Sequence, residues 1–279
     1  MQVEDTPITL CPCPGAQTEV CTLGLLSGKR ALVVGVANKR SIAWGIARTL
    51  AEEGAELALT YQHDRFRENL DKLVPELPQG ALTLPLDVAD DASLDALRDS
   101  LTAQWGKVDI VVHSVAFART EDLQSRLVDL PREGYALSQD VSAYSLVALT
   151  RAVLPLLQAA GGGSVLTMTY LGGERVMPNY NVMGVAKAAL ESAMRYLAWD
   201  CGGDNIRFNA VSAGPLRTLA SSAVKAATAL RDVPERTPLQ RNISLEDVGH
   251  AAAFLCSDWA QNITGQVLFV DAGFHIMGM

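Results

Sequence analysis

The fold is decided by residues 31–53, which read ALVVGVANKRSIAWGIARTLAEE. Ala31–Gly35 is a short β-branched run without a polar break, which is typical of a strand buried on both faces. Ile42–Glu53 follows after a loop, and its apolar side chains recur at helical spacing. A strand, a glycine loop and a helix in this order open a dinucleotide-binding βαβ unit.

The loop inside this unit has an unusual spacing, Gly35-x5-Ser41-x3-Gly45, in place of the generic G-x-G-x-x-G. Gly35 would let the backbone turn and approach a pyrophosphate. Ser41 would cap the helix and donate to a phosphate at its positive end. An ordinary strand-to-helix turn explains the loop equally well, so this loop alone does not establish a dinucleotide site.

Six further runs have strand character, and helical patterns or loops separate them. They are Glu56–Tyr61, Ala81–Leu86, Val108–His113, Ser164–Thr169, Arg207–Val211 and Thr264–Val270. The helical patterns include a long apolar helix over 134–160 and a helix that starts at Ser244-x-x-Asp247. We find no second core and no repeat. The sequence therefore predicts one α/β domain over 25–279, Rossmann-like and doubly wound, with a seven-stranded parallel sheet, after a flexible tail over 1–24.

Composition and charge exclude several classes of function. The chain has 279 residues, of which 49% are hydrophobic and 19% charged, as in globular proteins. Its net charge of −8 argues against nucleic acid as a partner. No uninterrupted apolar run reaches the roughly 18 residues of a membrane span, and the first residues lack a secretory signal. Five cysteines, an odd and low number, indicate a reducing, cytoplasmic location. Cys11 and Cys13 have the wrong spacing for a metal, and we expect none.

Cofactor preference is read from the residues after the second and third strands. At the end of the second strand, an acidic residue would bind the ribose of NAD and a basic one the phosphate of NADP. Gln62 stands there and favours NADH modestly, whereas Arg65 and Arg67 keep NADPH as the less favoured alternative. Asp87 could accept from the adenine amino group, or lie beside the N-cap of the next helix.

The fourth strand ends in residues 114–118, SVAFA, whose small side chains leave room for a flat ligand. His113, inside that strand, is expected to be structural.

Residues 169–187, TYLGGERVMPNYNVMGVAK, contain the candidate catalytic groups. Tyr180 and Lys187 are seven residues apart, about two helical turns, so both side chains would leave one face. A nearby ammonium would lower the pKa of the phenol. The same spacing would also be found if Tyr180 and Lys187 were only neighbours on the surface of a helix. Pro178 fits the start of their helix, and the fifth strand would bring Tyr170 to the carboxyl edge.

From about residue 24 to 279 the chain resembles the short-chain dehydrogenase superfamily. More closely, it is similar to the enoyl-acyl-carrier-protein reductases of bacterial type II fatty acid synthesis. The motifs that carry the resemblance are GVANKRSIAWGIA (35–47), TYQHD (60–64), DVADDAS (87–93), HSVAFA (113–118), YLGGERVMPNYNVMGVAK (170–187), SAGPLRTLA (212–220) and GQVLFVDAGF (265–274). Ordinary members of the superfamily have Tyr-x3-Lys. This chain has Gly184 at that lysine's place and the Tyr-x6-Lys of the enoyl reductases.

The resemblance implies hydride transfer from a nicotinamide to C3 of a trans-2-enoyl thioester, the last reductive step of fatty acid elongation. Tyr180 would hydrogen-bond the enolate oxygen, Lys187 would hold the nicotinamide ribose, and Tyr170 would line the acyl pocket. The implied dinucleotide contacts are Gly35, Ser41, Ile42, Gln62, Asp87, Val88, Ser114, Lys187, Leu216 and Thr218. The implied substrate contacts are Ala116, Phe117, Ala118 and Tyr170.

The resemblance also implies NADH as cofactor, acyl carrier protein as partner and a homotetramer, and two departures from the family matter. Ala116 stands where glycine is usual, which predicts weaker binding of diphenyl ether inhibitors. The Ala-rich segment 219–230 could be a lid over the ligand or a plain surface helix. In it Lys225 is basic but Thr228 and Ala229 are neutral, which predicts a weakened or altered carrier contact.

Two other functions remain open. A carbonyl or alcohol dehydrogenase of the same superfamily would need the Tyr-x3-Lys that is absent. A non-catalytic dinucleotide-binding protein would not need Tyr180. Neither the chain-length preference nor the choice between a housekeeping, a specialised and an inhibitor-tolerant role follows from the sequence.

Overall fold

The computed structural model describes residues 24–216 and 234–278. The predicted tail over 1–24 lies outside the described residues except for Gly24. Thr218, Lys225 and the predicted lid over 219–230 also lie outside them.

Seven parallel strands form one sheet in the order β3-β2-β1-β4-β5-β6-β7. They are β1 (Arg30–Val34), β2 (Glu56–Tyr61), β3 (Leu82–Pro85), β4 (Ile110–His113), β5 (Gly163–Thr169), β6 (Ile206–Ala213) and β7 (Val267–Val270). The strand order runs outward in opposite directions from β1 and β4, which confirms the doubly wound prediction. Ligands of such sheets bind outside the carboxyl ends of the strands, at the point where the order reverses.

Eight α-helices belong to the described part of the chain. They are α1 (Ile42–Glu52), α2 (Asp64–Leu73), α3 (Asp91–Gln104), α4 (Thr120–Gln124), α5 (Arg132–Gln139), α6 (Ser145–Ala159), α7 (Asn181–Asp200) and α8 (Leu245–Cys256). The start of α8 confirms its prediction, because Ser244 and Asp247 form a reciprocal capping box.

A π-helical turn at Asp140–Tyr144 joins α5 to α6, which makes one helix of 28 residues, Arg132–Ala159. This confirms the predicted long helix. An 18-residue window of this helix has a mean hydropathy of 1.3, so the helix is long and apolar enough to cross a membrane, but 61% of that window is buried inside the protein. That burial is typical of the core helix of a folded domain.

The core lies in two layers, one on each face of the sheet. Leu32 and Val34 of β1 belong to a cluster shared with α3, α6 and α7. Ala31 and Val33 belong to the opposite cluster, shared with α1, α2 and α8. Alternation along a strand buried on both faces explains the unbroken apolar run in the sequence. The two layers hold the carboxyl ends of the strands in a fixed arrangement.

Candidate active site

The carboxyl edge of the sheet gathers most of the predicted site residues. The residues that follow β1 to β6 there are Gly35, Gln62, Asp87, Val88, Ser114, Tyr170 and Leu216. Ile42 is the first residue of α1, which starts at the same edge. Thr218 is the one predicted contact outside the described residues.

Gly35 lies where β1 and β4 diverge, and its backbone has φ +108°. A Cβ atom at this position would lie 2.1 Å from the carbonyl oxygen of Ser114. Only glycine fits both the positive φ and this close approach. Two predicted cofactor residues are therefore in contact at the point where the strand order reverses.

Ser41 occupies the N-cap position of α1, but its side chain makes no capping hydrogen bond. Its hydroxyl donates to the carbonyl oxygen of Asn38 at 2.7 Å. The predicted N-cap position is therefore confirmed, but the predicted capping by the Ser41 side chain is wrong. The first turn of α1 contains no acidic residue. Within the described residues, the amides of Ile42 and Ala43 have no hydrogen-bond acceptor. This helix start can therefore receive an anion.

Gln62 and Asp87 meet at the ends of β2 and β3, where the Gln62 amide donates to the Asp87 carboxylate at 3.2 Å. The Asp87 carboxylate also accepts from the backbone amide of Ala89 at 3.0 Å. The N-cap residue of α3 is Asp90, and Asp87 lies beside it, because the backbone amide of Asp87 donates to the hydroxyl of Ser93 at 2.8 Å. The predicted contact of the Asp87 carboxylate with an adenine amino group stays a prediction. The guanidinium of Arg67 lies 5.9 Å from the ring centroid of Tyr61.

Tyr170 and Tyr180 form an edge-to-face pair, with ring centroids 5.0 Å apart and an interplanar angle of 69°. Tyr170 follows β5 directly, and Tyr180 is the N-cap residue of α7. The helix thus begins at Asn181, three residues after Pro178, and the predicted start at Pro178 is wrong. The cause is a turn in which Asn179 and Asn181 have positive φ, of 63° and 27°.

Burial raises the pKa of Tyr180, and the neighbouring Tyr170 and Glu191 raise it further. The prediction that a nearby ammonium lowers this pKa is therefore wrong. Burial likewise raises the pKa of Tyr170, with a smaller contribution from Asp271. Both phenols keep their protons at neutral pH and are hydrogen-bond donors.

Lys187 is buried, with 6% of its surface exposed, and its ammonium donates to the carbonyl oxygen of Met168 at 2.7 Å. Burial lowers the pKa of Lys187 to about 8, and Glu191 opposes this shift. An ammonium has three donors, and the described residues accept from one of them. Lys187 is thus a buried cation with donors to spare beside the end of β5.

The sequence reasoning missed Glu191, which is buried one helical turn after Lys187. Its carboxylate accepts from the hydroxyl of Thr169 at 2.6 Å. Burial raises its pKa, and the hydrogen bond from Thr169 opposes the shift. The spacing Lys187-x3-Glu191 was the available signal, because residues four apart share a helix face. Together the two charged groups attach α7 to the last two residues of β5.

His113 is fully buried, and its ring nitrogens lie 2.9 Å from the hydroxyl of Thr167 and 2.8 Å from that of Ser145. Burial, assisted by the charge of Lys187, lowers the pKa of His113 to about 3. The ring is neutral and satisfied, which supports the structural role predicted for it.

The segment predicted to line the substrate pocket is held by the π-helical turn. The backbone amide of Phe117 donates to the hydroxyl of Ser142 at 2.9 Å, and this hydroxyl donates back to the Phe117 carbonyl at 3.1 Å. Phe117 is 50% exposed and Ala116 is exposed, whereas Ala118 packs near Tyr180. Ser142 was missed because nothing in the sequence marks a π-helical turn.

Other parts of the described chain add no second candidate site. No group of three or more potential metal ligands occurs within residues 24–216 and 234–278. A polar cavity of about 190 Å³, lined by residues that include Lys29, Asn205 and Arg207, lies at the opposite edge of the sheet.

Comparisons with known proteins agree with this geometry. Residues 35–275 match the family model described as "Enoyl-(Acyl carrier protein) reductase". The chain is 47% identical over 261 residues to the enoyl-[acyl-carrier-protein] reductase [NADH] FabI of Aquifex aeolicus, a match that covers 92% of this chain and 95% of that protein. It is 49% identical over 258 residues to the FabI of Synechocystis, covering 91% of this chain and 99% of that protein.

Solved structures give the same result. The Bacillus cereus enoyl-acyl carrier protein reductase, solved with NADP+ and indole naphthyridinone, superposes with a TM-score of 0.89 at 47% identity. The match covers 92% of this chain and 100% of the Bacillus cereus chain. The Anaplasma phagocytophilum reductase, solved with NAD, superposes with a TM-score of 0.88 at 44% identity, covering 92% of this chain and 98% of its own. The chain therefore belongs to the enoyl-acyl-carrier-protein reductase family of the short-chain dehydrogenase/reductase superfamily.

Proposed function

We propose that this chain reduces the trans-2 double bond of enoyl thioesters carried by acyl carrier protein, with NADH as hydride donor. One observation carries the proposal: the Tyr170–Tyr180 pair and the buried Lys187 meet at the end of β5, in a chain of this reductase family. Residues 25–279 would form the catalytic domain.

The residues at the carboxyl edge fit a dinucleotide. The amides at the start of α1 and two of the three donors of Lys187 have no acceptor among the described residues. The amides suit the pyrophosphate, and the donors of Lys187 suit the hydroxyls of a ribose. Gln62 and Asp87 suit the adenosine end, with Ser114 and Leu216 further along the edge. The bound cofactor would supply the hydride that reaches C3 of the substrate.

NADH is the preferred cofactor in this proposal. Gln62 carries no charge, and its amide is already bound to the carboxylate of Asp87. A carboxylate at this position repels the additional phosphate of NADPH. Arg65 is exposed and keeps NADPH as the second choice, and the Bacillus cereus relative was solved with NADP+.

Tyr180 acts as a hydrogen-bond donor in this reaction. Negative charge develops on the thioester oxygen as hydride reaches C3, and a donor aimed at that oxygen lowers the barrier. The raised pKa of Tyr180 keeps its hydroxyl protonated for this task. Lys187 contributes positive potential to the same region while it holds the ribose. Tyr170 and residues 116–118 would line the acyl pocket.

The carbonyl dehydrogenase alternative meets a steric obstacle at Gly184. A Cβ atom there would lie 2.7 Å from the carbonyl oxygen of Gly172, so a lysine four residues after Tyr180 does not fit this backbone. The neighbouring turn therefore supports the Tyr-x6-Lys arrangement.

Assembly and location complete the proposal. We propose a homotetramer, as the family resemblance implies. Tyr196 and Trp199, three residues apart on α7 and 71% and 84% exposed, offer an apolar surface for such an interface. A reducing cytoplasm suits the free thiols of Cys201 and Cys256.

The test is loss of NADH absorbance with crotonyl thioesters on carrier protein and on coenzyme A, with NADPH and a 3-ketoacyl thioester run in parallel. We expect turnover with NADH, more slowly with NADPH, and none with the ketone. Turnover of the ketone alone would favour the carbonyl dehydrogenase. Dinucleotide binding without turnover of any thioester would favour a non-catalytic binding protein.

A further inference from the structure

The side chain of Asn181 joins the start of α7 to the end of α4. Its amide nitrogen donates to the carbonyl oxygen of Leu123 at 2.9 Å and also to that of Ser125. Leu123 lies in the last turn of α4, and Ser125 is its C-cap residue. Carbonyl groups at the end of a helix have no partner within the helix. One side chain from α7 therefore completes the end of α4.

The backbone of Asn181 is unusual at the same position. Asn181 is the first residue of α7 and follows Tyr180 directly, and its φ is +27°. Asparagine tolerates positive φ better than other residues with a side chain, but the conformation still costs energy. Such a conformation persists only where the surrounding contacts hold it. The two hydrogen bonds to α4 are contacts of this kind.

A small apolar cluster reinforces the junction. Leu123 of α4 is 4% exposed and packs with Val182, Met183 and Ala186 from the first two turns of α7. Ala118, Leu130 and Tyr180 pack against the same cluster. The segment 118–130, which continues the predicted pocket wall, is thus attached to the helix start that carries Tyr180.

We propose that Asn181 is a positioning residue that clamps the segment 118–130 to the start of α7, so that the wall of the acyl pocket and the hydroxyl of Tyr180 keep one geometry. Its kinetic consequences rest on the proposed function, whereas the clamp itself does not. The role requires two N–H donors at a residue that tolerates positive φ. Aspartate has the same shape without the donors, and glycine tolerates the backbone without any side chain.

The variants Asn181→Asp and Asn181→Gly test the clamp, with Asn179→Asp as the matched control. Asn179 has φ +63°, is exposed and belongs to the same turn, and its side chain makes no hydrogen bond to α4. Asn181→Gly removes the two N–H donors and also the energetic cost of the positive φ, because glycine adopts this conformation readily. This variant keeps the test valid if Asn181→Asp fails to fold.

The kinetic measurement compares KM for crotonyl-carrier protein, kcat and the Kd of NADH. For both Asn181 variants we expect kcat/KM to fall about tenfold or more, through a higher KM and a lower kcat, because carbonyls are left unpaired. The Kd of NADH should stay near its original value, since Lys187 is the one proposed dinucleotide contact on α7 and its ammonium is held by Met168 of β5, not by α4. A general loss of folded structure would instead raise the KM for crotonyl-carrier protein and the Kd of NADH together. Unchanged kcat/KM in Asn181→Gly would overturn the proposal.

Limited trypsin digestion tests the clamp without any turnover. Arg119 and Arg126 flank α4, and both are exposed. We expect faster cleavage at these sites in both Asn181 variants and the original rate in Asn179→Asp. Failure of the original chain to reduce any thioester would refute the proposed function and leave this measurement intact. Equal cleavage rates in all variants would refute the clamp.

Discussion

At the scale of single residues, burial governs the chemistry of the site more than neighbouring charges do. Tyr180, Lys187 and Glu191 each have a pKa displaced toward the neutral form, and burial is the largest cause for all three. For Tyr180 the result is a protonated donor; for Lys187 it is a cation that titrates close to the physiological range.

Removal of the Tyr180 hydroxyl should impair catalysis more than binding. We expect Tyr180→Phe to lower kcat by about 100-fold, the scale of losing one donor to a developing oxyanion, with little change in KM. Tyr196→Phe is the control, because Tyr196 lies on the same helix and is 71% exposed. Steady-state kinetics check this, and a kcat within twofold of the original would remove Tyr180 from the transition state.

Neutralising Glu191 should change the pH dependence of the reaction. Glu191 raises the pKa of Lys187, so Glu191→Gln lowers it below its present value of about 8. Lys187 then loses its proton at lower pH, and the alkaline decline of kcat/KM should move to lower pH. Glu174→Gln is the control, because Glu174 is exposed and acts on Glu191, not on Lys187 directly. An alkaline limb that stays in place would mean that Lys187 does not need its charge.

At the scale of elements, the connection between β5 and α7 depends on two glycines. A Cβ atom at Gly172 would lie 2.4 Å from Cδ1 of Tyr180, and one at Gly184 would lie 2.7 Å from the carbonyl oxygen of Gly172. The turn after β5 therefore packs directly on the first turn of α7. This close packing places the rings of Tyr170 and Tyr180 together.

An added methyl group at Gly184 should separate these elements. We expect Gly184→Ala to lower the free energy of unfolding by about 1–3 kcal/mol, because the methyl meets backbone that has no room to move aside. Gly202→Ala is the control, since a Cβ atom there would meet nothing within 4 Å. Chemical denaturation measures both. Equal stability of the two variants would show that the turn is not tightly packed.

The same elements show why the sequence could predict strands better than side-chain roles. The run Glu56–Tyr61 was predicted with its observed bounds, because Leu57, Ala58 and Leu59 pack alternately into the two core layers and leave an apolar stretch in the sequence. The start of α7 was misplaced because Asn179 and Asn181 have positive φ, a conformation that asparagine tolerates but that its presence in the sequence does not require. The hydroxyl of Ser41 donates to the carbonyl oxygen of Asn38 and does not accept from an amide of α1, an orientation that spacing in the sequence does not decide.

At the scale of the whole molecule, the fold was predictable and the electrostatics of the site were not. The order of strands and helices dictates a doubly wound sheet, and that sheet brings distant residues such as Gly35 and Ser114 to one edge. The shift in the pKa of Tyr180 depends on how much chain covers it, and Glu191 becomes part of the site only after α7 has docked on β5.

The exposed aromatic residues make a prediction about assembly. We expect light scattering after size exclusion to give four times the chain's 29.8 kDa, and Trp199→Glu to give a smaller species. Trp199 is 84% exposed in the isolated chain, and a charge there would oppose burial in an interface. A single-chain mass for the original protein would contradict the proposed homotetramer.

The most direct test of the central claim follows the hydrogen itself. The chain would be incubated with crotonyl-carrier protein and NADH that carries deuterium at the transferred position, and the product analysed by mass spectrometry. We predict a saturated butyryl thioester with one deuterium at C3 and a hydrogen from water at C2. A crotonyl thioester recovered unreduced, or a product without deuterium at C3, would contradict the assignment of this chain as an NADH-dependent enoyl thioester reductase.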